Sequence, residues 1–137
     1  MAKRKEKDGK GRSQPGIDKD GRKNLDYIKE NSEFFQTRED TQNFDDADIF
    51  RIAVAVTIKH NLKLLAHPSA VGSNVGGSTW SRDGLNTDPS LTKMVEILVP
   101  QEQREEIWTY IEQAAATGLK YMKNSVAKGK TLTEIIQ

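Results

Sequence analysis

Three places in this 137-residue chain carry side chains at spacings that could do chemistry. The first is Asp45, Asp46 and Asp48. Carboxylates set this closely could hold magnesium against a nucleic-acid phosphate. They are also what a helix start asks for: a side-chain oxygen to accept an orphan backbone N–H, and negative charge in the first turn. The second is the pair His60 and His67. A metal needs several ligands to converge, and a seven-residue gap across a helix end does not secure that. The third is Gly72-x-x-x-x-Gly77-Ser78-Thr79, the spacing of a phosphate-binding loop, but with Ser78 where the loop lysine should stand. No nucleophile-elbow pattern is present. The chain has no cysteine, which excludes a thiolate nucleophile, a disulfide or a zinc–thiolate site. Asp18, Asp20 and Gly21 echo a calcium loop but lack its further oxygen ligands and closing glutamate. The expectation is therefore a protein with no catalytic, cofactor-binding or metal-ligating residues: not an enzyme, and in need of no cofactor.

Two groups point instead to binding. Residues 1–23 hold nine lysines and arginines against four carboxylates, while the rest of the chain is mildly acidic. Almost without apolar side chains, this stretch reads as a disordered basic tail, since ordering it would cost backbone entropy with little burial in return. Lys3, Arg4, Lys5, Lys7, Lys10 and Arg12 are its candidates for contacting DNA by phosphate neutralisation. The other group is Trp80 with Arg82, residue types enriched at interface hot spots, which could meet a protein partner; Trp80 could equally fold back over the core.

The elements that must position these groups are helical. Phe44 to Leu65 is the stretch with enough apolar side chains to seed a core. As a helix it is capped by Asp45 or Asp46, places Ile49, Ile52, Ala53 and Val56 on one face, and closes with Lys59, His60 and Lys63. As a strand, Ile52, Val54, Val56 and Ile58 alternate with Arg51, Ala53, Ala55 and Thr57; caps and length favour the helix. Before it, Leu25 to Phe35 forms a short helix or turn with Leu25, Ile28 and Tyr27 inward, and Phe34, Phe35 and Phe44 staple a polar linker onto the core. After it, residues 66–88 form a long mobile loop rich in glycine and small polar residues. Thr87 or Asp88 caps a helix with Pro89 at its first position and a Leu91, Met94, Val95, Leu98 stripe, which Pro100 ends. Residues 101–128 form the longest helix, with Ile107, Tyr110, Ile111, Ala114, Ala115, Leu119, Met122 and Val126 inside. Gly118 interrupts it, which a break or a close helix–helix crossing would explain. Thr131 and Glu134 have capping-box spacing for a last turn.

The fold class expected is mainly α. It is a small single helical domain over residues 24–137, with a long central loop and a disordered basic tail. At 35% apolar and 30% charged, the core is modest, and protein partners or a second copy would help to cover it. The absence of a long apolar run or a signal sequence suggests a cytoplasmic protein with no membrane contact.

Three segments together resemble a family of small accessory proteins encoded with prokaryotic DNA-phosphorothioation (Dnd) defence systems. They are Phe44-Asp45-Asp46-Ala47-Asp48-Ile49-Phe50 followed by Ala53-Val54-Ala55-Val56, then Ile107-Trp108 through Ala114-Ala115-Ala116-Thr117-Gly118-Leu119, and the closing Leu132 to Ile136. Thr57 stands where that family's pattern has glycine, and the central loop has no counterpart in it. The resemblance implies a mainly helical accessory protein of an anti-phage cassette, acting on protein or DNA within a larger complex, with no catalytic residues to carry over.

Overall fold

The computed structural model describes residues 12–32, 45–86, 90–104 and 106–137. Among these the chain is mainly helical. In order it forms β1 (Gly16–Ile17), α1 (Lys19–Asn31), α2 (Asp46–Lys59), a 3-10 turn (Ser73–Val75), β2 (Ser78–Thr79), α3 (Arg82–Leu85), α4 (Leu91–Leu98), a second 3-10 turn (Gln101–Gln103), α5 (Ile107–Ala127) and α6 (Leu132–Ile136). β1 and β2 pair antiparallel, with Gly16 opposite Thr79 and Ile17 opposite Ser78.

The stretch that two periodicities left open is a helix. α2 begins with a full capping box: Asp45 accepts from the Asp48 backbone N–H, and Asp48 accepts from that of Asp45. Ile49, Ala53 and Val56 are buried as the helical spacing requires, and Phe50, Val54 and Thr57 join them. α2 is nevertheless not the central element. α5 is, because α1, α2, α4, α6 and β1 all pack on it. That is why its buried set runs beyond one face to include Trp108, Glu112, Thr117, Gly118 and Ser125. Gly118 marks a close crossing, not a break. A Cβ there would lie 2.0 Å from the Ala53 carbonyl oxygen, so the α2 and α5 backbones touch where only hydrogen fits. Thr57 strengthens the same contact, its hydroxyl donating to the Ala114 carbonyl oxygen at 2.6 Å.

Four boundaries differ from the sequence reading. Residues 12–23 are not tail: β1 and the first turns of α1 occupy them, and Ile17 is buried. Asp18 explains the earlier helix start, since its side chain accepts the Gly21 N–H as N-cap. The central connection is not a bare loop, because its residues 66–86 carry a 3-10 turn, β2 and α3, with Leu85 buried. α4 starts at Leu91 on a Ser90 cap; Thr87, Asp88 and Pro89 lie outside the described residues. α5 starts at Ile107 on a Glu106 cap, after the 3-10 turn at Gln101–Gln103. Phe34, Phe35 and Phe44 also lie outside the described residues. Thr131 and Glu134 do form the capping box of α6.

Candidate functional site

The acidic cluster divides between two structural tasks. Asp45 and Asp48 are consumed by their capping box, at 3.1 and 2.9 Å. Asp46 turns to α1, where it accepts from Arg22 at 2.8 Å and from Lys29 at 2.9 Å. Burial alone would push the Asp46 carboxyl up; the hydrogen bonds from Lys29 and Arg22 outweigh it and hold the group below its usual range. Among the described residues no group of three or more histidines or carboxylates is arranged to hold a metal ion.

The glycine-rich segment is closed on itself. Gly72 and Gly76 take positive φ of 100° and 79°, which lets the Ser73–Val75 turn form. The amide hydrogens a phosphate would need are already bonded: Val75 and Gly77 donate to the Gly72 carbonyl at 3.1 and 2.8 Å, Gly76 to Ser73 at 3.1 Å, and Gly72 to Ile17 at 3.2 Å. The segment receives β1; it does not form an anion cradle.

Trp80 and Arg82 face into the molecule. The Trp80 ring packs 5.1 Å from Phe50, and its backbone N–H donates to the Pro15 carbonyl at 3.0 Å. The Arg82 guanidinium lies 5.3 Å from the Trp108 ring centre and donates from Nε to the Arg12 carbonyl at 2.9 Å. Both thus staple the N-terminal segment and the central connection to the core, while each stays half-buried. Of the basic residues assigned to DNA, Arg12 is likewise turned inward, while Lys3, Arg4, Lys5, Lys7 and Lys10 lie outside the described residues.

What sequence reading missed is where Arg12 goes. It pairs with Glu112, whose side chain is 0% exposed in the middle of α5. Nη1 of Arg12 contacts Oε1 of Glu112, and Nη2 donates to the Pro68 carbonyl at 2.9 Å. His67 brings Nε2 to the same Oε1 at 2.6 Å, and the Gly16 N–H donates to Oε2 at 2.8 Å. An ionised carboxylate can only accept, so His67 must carry its hydrogen on Nε2 here, and its 3.2 Å approach to Arg12 Nη1 cannot be a second hydrogen bond. The node therefore joins three separated parts of the chain: the N-terminal segment with Arg12 and β1, the His67–Pro68 segment and α5. A signal for it existed. Trp108, Glu112, Ala115, Leu119 and Met122 share one helical stripe, and Glu112 is its only charged member.

Chemically, a carboxylate that orients an imidazole is half of a general-base arrangement. Here the guanidinium already engages that carboxylate, which favours a structural pairing. The second histidine does not approach this node: His60 donates from Nε2 to the Ile135 carbonyl at 2.7 Å, tying α6 to α2. A shallow cleft of about 340 Å³ lies beside the node between α1 and α5, where Lys23, Lys120 and Lys123 face Asp18 and Asp20. Its opposed charges give no field of a single sign.

On the outer side of α4, Ile97 is 79% exposed and Leu98 56%, whereas Leu91 and Val95 anchor that helix inward. Among the described residues, no helix is long and apolar enough to cross a membrane. Comparison with family models, with curated proteins and with solved structures finds no match to this chain.

Proposed function

We propose that this protein is a non-catalytic accessory or adaptor protein of a prokaryotic anti-phage DNA-modification or restriction system, working through protein contacts. The resemblance to Dnd-associated accessory proteins supplies the setting. The observation that carries the contact reading is the adjacent Ile97 and Leu98, two large aliphatic side chains left in water on a helix whose inner side is anchored. Single exposed aliphatics are ordinary, but neighbouring ones rimmed by polar residues are what a binding surface presents. The test is co-purification with the proteins encoded beside it. Ile97→Lys with Leu98→Lys should leave stability within about 1 kcal/mol of wild type, because both side chains are mostly exposed and cations suit the last turn of the helix, and should abolish the association. A wild-type protein that stays monomeric and binds none of those neighbours overturns the reading.

A second reading is DNA contact through the basic residues Lys3, Arg4, Lys5, Lys7 and Lys10, supported by their density in the sequence. Replacing all five with Gln should remove DNA binding and flatten its dependence on salt. Unchanged affinity would end this reading.

A further inference from the structure

Glu112 is a buried charge that needs a cation, and what surrounds it is shaped for one cation in particular. Its two oxygens are used differently. Oε2 is fixed by the Gly16 amide at 2.8 Å, which leaves Oε1 aimed at the guanidinium. Beside it, the Pro68 carbonyl receives the other terminal nitrogen of Arg12 at 2.9 Å. Two acceptors, one charged and one neutral, therefore bracket the two ends of a planar fork. A guanidinium fills both, whereas an ammonium, being a compact point charge, satisfies one and leaves the other to water. His67 closes the third side through its 2.6 Å contact with Oε1. The Arg12 side chain remains 26% exposed, so the site opens to solvent behind its own occupant.

We propose that Glu112, Pro68 and His67 form a guanidinium-binding socket, occupied in this structure by Arg12 of the same chain and able to take an alkylguanidinium, the head group of an arginine side chain, when Arg12 is withdrawn. The socket uses none of the residues of the Ile97–Leu98 surface. Its acceptors are held without help from Arg12: Glu112 on the central helix, and the His67–Pro68 segment through Leu65, whose N–H donates to the Thr117 hydroxyl at 2.9 Å and whose carbonyl accepts from Gln113 at 3.1 Å.

The test is chemical rescue in the full chain. Arg12→Ala strands the carboxylate and should lower the melting temperature by several degrees. Ethylguanidinium at millimolar concentration should then raise it saturably and recover most of the loss, as a ligand of the folded state alone must. Ethylammonium at equal ionic strength should recover little. The rescue should vanish in Arg12→Ala combined with Glu112→Gln. Equal recovery by the two cations, rescue that persists without the Glu112 carboxylate, or an Arg12→Ala variant as stable as wild type each overturns the proposal. If Arg12→Ala does not fold, its refolding yield reads the same binding: recovery with ethylguanidinium alone supports the socket, and no recovery overturns it.

Discussion

α5 makes two of its most demanding contacts six positions apart, and they are opposites. At Gly118 it meets α2 backbone to backbone, with no side chain between them. At Glu112 it meets the N-terminal segment through a buried ion pair with a histidine and an amide attached. The first contact tolerates no added volume. The second tolerates no lost charge. One helix can be intolerant for two unrelated reasons, and substitutions separate them.

The largest effect should come at the crossing. Gly118→Val puts a branched side chain where even a Cβ would overlap the Ala53 carbonyl, and neither backbone can give without moving a whole helix. A loss of roughly 3 kcal/mol or more in urea unfolding is expected, well beyond any gain in helix propensity. At the node, Arg12→Ala should cost somewhat less, about 2–3 kcal/mol, because water can reach the emptied site from the Arg12 side. Glu112→Gln should cost a similar amount, about 2–3 kcal/mol, since the amide keeps the shape but its NH2 must face either the Gly16 N–H or the Arg12 and His67 donors. The double variant should cost clearly less than the two single losses together, the sign of a direct pairing. Additive losses would mean that the two residues act independently and would dissolve the contrast with the crossing.

The smallest effect is electrostatic and depends on pH. Asp46 is held below the usual carboxylate range, so its contribution is complete above that range and is lost as pH falls through its lowered folded value. Wild type should therefore lose stability on acidification faster than Asp46→Asn. The gap between the two, measured by melting temperature, should close in acid; a constant gap would mean that the pairing with Arg22 and Lys29 is not what sustains it.

The crossing was legible in the sequence and the node was not, for a physical reason. α2 is written in local terms: a carboxylate cap, a reciprocal carboxylate three positions on, and aliphatics at helical spacing. Gly118 inside a helix announces either a break or a close neighbour. Thr131 and Glu134 announce the last turn in the same way. The node is non-local, joining residues 100 positions apart. Glu112 on an apolar stripe hints at a buried charge, but an arginine among lysines and glycines looks like surface, so nothing local names its partner. Ile17 is a single aliphatic in a polar run, so nothing local shows that it is buried. Trp80 carried two readings, and only packing against Phe50 separates them.

The span between Arg12 and Glu112 also bears on how the protein is made. Closing so long a loop is slow and cannot be rewarded until both ends exist. On the ribosome, the Arg12 segment has to wait for a hundred further residues before its anchor on α5 appears. A nascent chain stalled short of Glu112 would carry the Arg12 segment unlatched.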